Sequence, residues 1–295
     1  MRWFALGLIL MLSAFPARAQ SGDGSQSSAT AAASPLDGNW QITGNLDRKV
    51  YPAISMSIYV NGKQVSGWGT SKDVCSNRGG EYSADFRVTG TIEPDGSFDL
   101  RTAAIPYAVQ LTFAGKVPAV GATGWDGNYT FQTVPPAAGQ PCVIDRKGVL
   151  TASPLAPLIG AFSGQVMRLS PFPIPQGTSA DLINRTPKQP KLSIGVKQGG
   201  FLMDERKPSE PYSYLPLTGT IRVESCPCFA GGKTIAGTAS RIEGEMVKVR
   251  FEMDDQSEIY FQGTYSGPAA GLSFHASVTS GKCRGLGFSG TLNPE

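Results

Sequence analysis

The sequence predicts an all-β protein of two tandem antiparallel modules, each with about eight strands. Glycine and proline are abundant, with 36 and 22 residues. No long stretch with helical periodicity follows the first nineteen residues, whereas short runs of alternating apolar and polar residues end at turn residues throughout the chain. One hairpin pattern occurs twice, about 150 residues apart, which indicates an internal duplication.

The clearest hairpin pattern runs from Tyr82 to Leu100. Apolar residues occupy every second position on both sides of a Pro94-Asp95-Gly96 turn. A period of two places these side chains on one buried face. The second copy spans Thr234 to Phe251, where Gly244 takes the turn position.

Residues 1–19 have the pattern of a signal peptide, with an apolar run before a small-residue cleavage site at Ala17-Arg18-Ala19. The run is too short to cross a bilayer as a helix. The polar residues 20–35 predict a flexible leader. Pro154 and Pro157 later interrupt the strand pattern. The predicted modules are residues 36–153 and residues 154–295.

Eight runs in the first module fit short strands. Asn61-Gly62 joins the second run to the third and predicts a tight hairpin, because both residues tolerate positive φ. The runs are Leu36–Gly44, Ile54–Val60, Val65–Thr70, Tyr82–Ile92, Phe98–Leu100, Tyr107–Phe113, Trp125–Phe131 and Val143–Ala152.

The second module repeats this order. Leu158, Gly160 and Phe162 have the spacing with which the first module opens, and a proline-rich insertion at Pro171–Pro190 delays the next run. The later runs are Lys191–Val196, Tyr214–Val223, Thr234–Arg241, Met246–Met253, Ile259–Tyr265, Leu272–Val278 and Arg284–Leu292. Short sequential connections favour an up-and-down β-barrel, since closure removes both sheet edges, and a β-sandwich is the alternative.

The five cysteines of an exported chain are expected to form disulfides first. Cys75 and Cys142 follow the third and seventh runs of the first module, and Cys226, Cys228 and Cys283 lie in the corresponding loops of the second. Equivalent loops predict one bridge between Cys75 and Cys142 and another from Cys283 to Cys226 or Cys228. The competing hypothesis is a redox or metal site at the Cys-Pro-Cys sequence. Zinc needs four donors, and the single histidine of the chain disfavours it.

The charge pattern excludes two classes of partner. Without Arg2 and Arg18 of the predicted signal peptide, 24 of the 26 basic residues remain against 23 acidic ones, and they form no cluster. This balance provides neither a footprint for nucleic acid nor a polybasic patch for a membrane surface. No segment after residue 19 has the apolar length to span a membrane.

Candidate catalytic residues are few. His275 alternates with apolar neighbours, so it is expected on the solvated side of a strand, and no nucleophile-elbow motif accompanies it. The carboxylate pairs fall at turns or on polar faces, which predicts solvated side chains. These pairs are Asp254 with Asp255, Glu243 with Glu245, and Asp95 with Asp99. The sequence therefore predicts no catalytic residue, no cofactor and no metal.

The tryptophans are distributed unevenly. Trp40, Trp68 and Trp125 all fall in the first module, and Phe162 takes the position of Trp40 in the second. Aromatic rings inside a barrel of eight strands can line a ligand cavity, or they can simply fill the interior. These three residues are the predicted ligand-binding set.

Gly38-x-Trp40 at the start of a first strand, followed by seven more antiparallel strands, resembles the opening of the calycins, the lipocalin and avidin type of barrel. The resemblance implies a barrel in which Trp40 packs across the closed end. The two-module layout with an export signal also resembles groups of secreted bacterial proteins without an assigned function.

The sequence predicts a non-enzymatic protein of the periplasm or the extracellular space. Its expected partner is a small apolar or carbohydrate ligand, or a component of the envelope. Two alternatives are a hydrolase that acts on glycans outside the cytoplasm and a structural or adhesive β-protein without a pocket. A hydrolase predicts convergent carboxylates in a cleft, and a structural protein predicts filled interiors.

Overall fold

The computed structural model describes residues 34–44, 54–73, 82–102, 109–133, 145–171, 173–204 and 212–295. The predicted signal peptide at 1–19 and all of the predicted leader except its last two residues lie outside these ranges. The described residues form an all-β protein of two antiparallel barrels, as predicted.

The first barrel contains eight strands, each hydrogen-bonded to the next along the chain. They are β1 (Gly38–Gly44), β2 (Ile54–Asn61), β3 (Gln64–Asp73), β4 (Tyr82–Ile92), β5 (Ser97–Thr102), β6 (Val109–Lys116), β7 (Trp125–Thr133) and β8 (Asp145–Pro154). β1 also pairs with β8, from Trp40 opposite Pro154 to Gly44 opposite Leu150, which closes the barrel. The up-and-down barrel is confirmed, and the sandwich alternative is wrong.

The second barrel has the same eight strand positions with interruptions. Its elements are β9 (Ile159–Gln165), β10 (Met167–Leu169), α1 (Ala180–Arg185), β11 (Lys191–Gln198), β12 (Leu202–Asp204), β13 (Tyr212–Val223), β14 (Gly231–Thr234), β15 (Arg241–Glu243), β16 (Met246–Met253), β17 (Glu258–Tyr265), β18 (Leu272–Val278) and β19 (Gly287–Pro294). β19 pairs with β9 where Asn293 lies opposite Ser163, and this pairing closes the ring.

The fourth strand of the second barrel departs from the prediction. Residues 234–241 do not form one strand, because a 3₁₀ turn at Gly237–Ala239 separates β14 from β15. Gly237 has a φ of +81°, which ends the extended backbone. The buried hydroxyl of Ser240 donates to the carbonyl oxygen of Ile235 at 2.7 Å and so satisfies a group that strand pairing leaves open. The hairpin turn at Gly244 forms as predicted.

The proline-rich insertion contains the helix α1, which periodicity did not predict because it has only six residues. The hydroxyl of Ser179 caps its start by accepting from the backbone N–H of Leu182 at 3.3 Å. Ile183 is buried in the core of the second barrel together with Cys228 and Cys283. The helix therefore packs at the end of this barrel where the cysteine loops lie.

Aromatic rings in the interior of the first barrel pack over glycines. A Cβ on Gly69 would lie 2.4 Å from the ring of Phe86, and one on Gly115 would lie 2.8 Å from the ring of Phe98. Fully buried aliphatic side chains complete this core, among them Ile42, Met56, Ile58, Leu100 and Leu111. Close packing of this kind is a stabilising feature of protein interiors.

The two barrels meet at a surface that we call the seam, formed by the outer faces of β1–β3 and the β15–β16 hairpin. Asn39 is 6% exposed, donates through Nδ2 to the carbonyl oxygen of Gly244 at 2.6 Å, and accepts through Oδ1 from Ser57 Oγ at 2.9 Å. The N–H of Gly244 donates to Ser57 Oγ at 3.0 Å, and the N–H of Glu245 donates to Ser55 Oγ at 2.8 Å. Both backbone N–H groups of the turn, those of Gly244 and Glu245, are therefore hydrogen-bonded to the first barrel.

Further contacts between the barrels involve β1, β2 and β3. Gln41 Nε2 donates to Glu245 Oε1 at 3.0 Å, and Ser66 Oγ lies 3.1 Å from Ser213 Oγ. At the edge, the ring of Tyr59 lies 5.4 Å from that of Phe201. Ser213 and Phe201 lie outside the β15–β16 hairpin, so the contact between the barrels extends beyond the docked turn.

Replacing Gly244 with alanine should destabilise the protein, because a Cβ there would lie 2.3 Å from Ser55 Oγ. Gly62 is a matched control: its φ is also +61°, yet nothing lies within 4 Å of a Cβ at that position. We expect G62A to cost about 1 kcal/mol through backbone strain and G244A to cost about 1–3 kcal/mol more. Urea unfolding measures both values, and equal losses would contradict the tight docking of the turn.

Candidate functional site

The structure brings two of the three predicted tryptophans together. Trp40 and Trp125 are each 4% exposed inside the first barrel, with ring centroids 6.2 Å apart in an edge-to-face arrangement. Phe98 packs edge-on against Trp125 at 5.1 Å. Trp68 is half-buried on the opposite, outer face of β3, where the inward positions belong to Val65 and its alternating glycines. The three indoles therefore do not border one common space.

The two interior indoles differ in their hydrogen bonding. Trp40 Nε1 donates to the carbonyl oxygen of Leu36 at 3.0 Å. In the described part of the chain, Trp125 Nε1 is the one buried polar side-chain atom without a hydrogen-bond partner. A buried donor without a partner is costly and needs an explanation, such as a water or a ligand atom.

This difference predicts unequal costs for replacing each indole with phenylalanine. Both variants lose similar apolar area, but W40F also loses a hydrogen bond and leaves the carbonyl oxygen of Leu36 without its donor. We expect W40F to be less stable than W125F by about 1–2 kcal/mol in urea unfolding. A larger loss for W125F would mean that its N–H has an acceptor in solution.

The cysteines of the second barrel resolve the pairing that the sequence left open. Cys228 is bonded to Cys283 with an S–S length of 2.04 Å, and Cys226 is the free thiol among the described cysteines. Cys75 and Cys142 lie outside the described residues, so their bridge stays a prediction. Within the described ranges, no group of three or more histidine, cysteine, aspartate or glutamate residues could hold a metal ion.

A buried ionic cluster adjoins the seam. Glu243 is 1% exposed and accepts from Arg241 Nε at 2.6 Å and from Lys248 Nζ at 3.0 Å. Lys248 also donates to Asp85 of the first barrel, so the cluster crosses between barrels. Burial lowers the pKa of Lys248, but the charge of Glu243 and the hydrogen bond and charge of Asp85 raise it by more, so the pKa lies above its ordinary value. The expectation that Glu243 is solvated is wrong, because the first barrel covers this part of β15.

Replacing Lys248 with methionine should destabilise the protein by about 3 kcal/mol, because it removes a cation from buried Glu243. R250M on the same strand is the control, since Arg250 and Glu258 are more than a third exposed and 4.0 Å apart, and it should cost less than about 1 kcal/mol. Because folding raises the pKa of Lys248 above its ordinary value of 10.5, its stabilisation is fully present well below pH 10.5 and is lost as the pH rises from there through the folded-state pKa. Urea unfolding should therefore show a constant difference between wild type and K248M from pH 8 to about pH 10 and a smaller difference at pH 11.

An open groove of about 430 Å³ lies on the outer face of β16–β18, beside the seam. Tyr260, Gln262 and His275 provide its polar side chains, and Met246 provides an apolar side chain. Met246 directly follows the seam turn in β16 and is only 6% exposed. The groove is therefore bounded on one side by a residue that the seam holds in place.

The polar side chains of the groove form a row across two strands. Gln262 lies directly opposite His275 in the β17–β18 pair, which places their Cβ atoms about 5 Å apart. The hydroxyl of Tyr260 donates to Gln262 Oε1 at 3.3 Å, and Gln262 Nε2 lies 3.5 Å from Met246 Sδ. The amide is thus held between a phenol and a thioether. His275 is exposed on the outer face, as predicted.

Sequence reasoning missed this groove. The available signal was Tyr260, an aromatic residue at a polar-face position of its strand, two residues before Gln262. An ordinary strand with one face in water has the same alternation, so this pattern does not distinguish a groove from a flat surface.

A second groove of about 530 Å³ contains carboxylates. Glu93, Asp99 and Asp126 line it on the outer face of β5–β7. Asp126 accepts from Thr151 Oγ1 at 2.7 Å, and Asp99 forms an exposed ion pair with Arg101 at 3.4 Å. A glycosidase general acid is a carboxyl group shielded from water, and these groups are not shielded. The arrangement therefore favours a solvated surface over a catalytic pair.

No protein-family model, no curated protein and no solved structure matches the chain. Among the described residues, no helix is long and apolar enough to cross a membrane. The chemistry of the groove beside the seam is therefore the basis for a functional proposal.

Proposed function

We propose that this chain is an exported, non-enzymatic two-barrel protein that binds a carbohydrate in the groove beside the seam. The observation that carries the proposal is the row of Tyr260, Gln262 and His275 next to apolar lining on an exposed sheet face. A sugar presents an apolar ring face together with hydroxyl groups. The half-exposed ring of Tyr260 can pack against the apolar face of a sugar. The amide of Gln262 and the imidazole of His275 offer hydrogen-bond donors and acceptors to its hydroxyl groups.

The dimensions of the groove agree with this ligand class. Its volume of about 430 Å³ falls within the usual range for small-ligand sites. Because it is open along the sheet face, a chain of sugar units could continue beyond it. In the first barrel, the rings of Phe86 and Phe98 occupy the interior space over Gly69 and Gly115.

The export part of the proposal rests on two observations. Residues 1–19 have the composition of a signal peptide, and Cys228–Cys283 is a disulfide of the kind that persists in oxidising compartments. Both observations support a periplasmic or extracellular location. The proposed calycin relationship is supported by the interior position of Trp40 near the start of β1.

A second candidate is a small ligand inside the first barrel, bordered by Trp40 and Trp125. It is favoured by the unpartnered N–H of Trp125, which could donate to a ligand oxygen. The two candidates are separable by spectroscopy, because all the tryptophans after the signal peptide belong to the first barrel. Tryptophan fluorescence should respond to a ligand in the first barrel and stay unchanged when the groove is occupied.

Calorimetric titration of the mature protein with a panel of neutral oligosaccharides tests the groove. We expect one or more to bind, and Gln262→Ala to weaken that binding about tenfold, the effect of one or two lost hydrogen bonds. Gln132→Ala is the matched control, an exposed glutamine on β7 of the first barrel, and should leave the affinity unchanged.

Three outcomes would contradict the proposal. One is the absence of binding across the panel, which would favour a structural or adhesive protein. Another is an equal loss in both glutamine variants, which would place the ligand elsewhere. The third is the release of shorter products during the titration, detected by chromatography, which would favour the hydrolase alternative.

A further inference from the structure

Three sulfur atoms lie at one end of the second barrel. The loop between β13 and β14 holds Cys226 and Cys228, and the loop before β19 holds Cys283. Cys228 and Cys283 form the disulfide, and Cys226 is a half-buried thiol. Thr186 Oγ1 lies 3.7 Å from Cys226 Sγ and 4.0 Å from Cys228 Sγ. One hydroxyl group therefore contacts both the thiol and the disulfide.

Thr186 is fixed in this position by the end of α1. It is 2% exposed, and its hydroxyl donates to the carbonyl oxygen of Leu182 at 3.1 Å. Its backbone N–H bonds to carbonyl oxygens of the same helix turn, including that of Ile183 at 3.2 Å. Since the hydroxyl proton is used, the oxygen is left to accept from the Cys226 thiol, which holds that sulfur beside the bridge.

We propose that Cys226 is the nucleophile of an internal thiol–disulfide exchange that moves the bridge from Cys228–Cys283 to Cys226–Cys283. Cys226 gives its proton to water, and its thiolate attacks Sγ of Cys283. One S–S bond forms between Cys226 and Cys283 as the bond between Cys228 and Cys283 breaks. Cys228 leaves as a thiolate and takes up a proton. The number of disulfides is unchanged, so the step needs no oxidant or reductant.

The loop around Cys226 favours this shift of the disulfide. Cys226 and Cys228 are separated only by Pro227, so the exchange shifts the attachment point by two residues within a loop that has no strand pairing. Ser225, next to Cys226, has a φ of +58°, a strained conformation for a residue with a side chain. The corresponding loop of the first module contains Cys75 alone, so the exchange is specific to the second barrel. It lies apart from the groove beside the seam and does not depend on the proposed ligand.

Peptide mapping of the oxidised mature protein tests the exchange, with Cys228→Ser and Cys226→Ser as variants. After acid quenching, C228S should contain a Cys226–Cys283 linkage, whereas C226S should retain the Cys228–Cys283 linkage. Circular dichroism checks that both variants keep their strands. A folded C228S in which Cys226 and Cys283 are both free thiols would overturn the proposal.

A measurement on wild type keeps the test independent of variant folding. Prolonged alkylation at pH 8 traps whichever thiol is released, so we expect label on Cys226 in some molecules and on Cys228 in others. In C226S, label on residues 224–230 should be lost completely. Label confined to Cys226 in wild type would overturn the proposal, because it would mean that the bridge never moves.

Discussion

The docking of the β15–β16 turn on the first barrel is the interaction on which the arrangement of the two barrels depends. A β-turn leaves backbone N–H and C=O groups without partners. Burying such a group without a hydrogen bond destabilises the fold by more than most single contacts stabilise it. On the outer face of the first barrel, Ser57 and Ser55 accept from the N–H groups of the turn, and Asn39 donates to the carbonyl oxygen of Gly244. Because each hydrogen bond requires one position of the turn, polar groups rather than apolar area define the orientation of the seam.

The ionic cluster beside the turn follows from the same geometry. Once the hairpin docks, Glu243 and Lys248 lose their water, and each must then be neutralised by a partner. Arg241 lies on the same strand as Glu243, whereas Asp85 belongs to the other barrel. Separation of the barrels would leave Lys248 without the carboxylate of Asp85, whereas its pair with Glu243 would remain within the second barrel.

Alternation predicted most of the strands, because each buried face has a period of two and each turn has its own residues, but it failed at residues 234–241, where a 3₁₀ turn interrupts the strand. It could not predict the seam. Ser55, Ser57 and Lys248 occupy outward, polar positions, and a polar residue at such a position looks the same whether it faces water or a second barrel. The sequence also could not show whether Cys226 or Cys228 is bonded to Cys283. Both lie in the expected loop, and only the three-dimensional position of Cys283 distinguishes them.

Met246 connects the seam to the candidate site. It begins β16 directly after the docked turn, its side chain is buried on the outer face, and its sulfur lies 3.5 Å from the amide of Gln262. Met246 and Gln262 both belong to the second barrel, so their contact lies within one barrel, whereas the docked turn holds the backbone just before Met246 through the bond from the N–H of Glu245 to Ser55 Oγ. The seam therefore constrains one edge of the groove through the backbone of β16, and no side chain of the first barrel lines the groove.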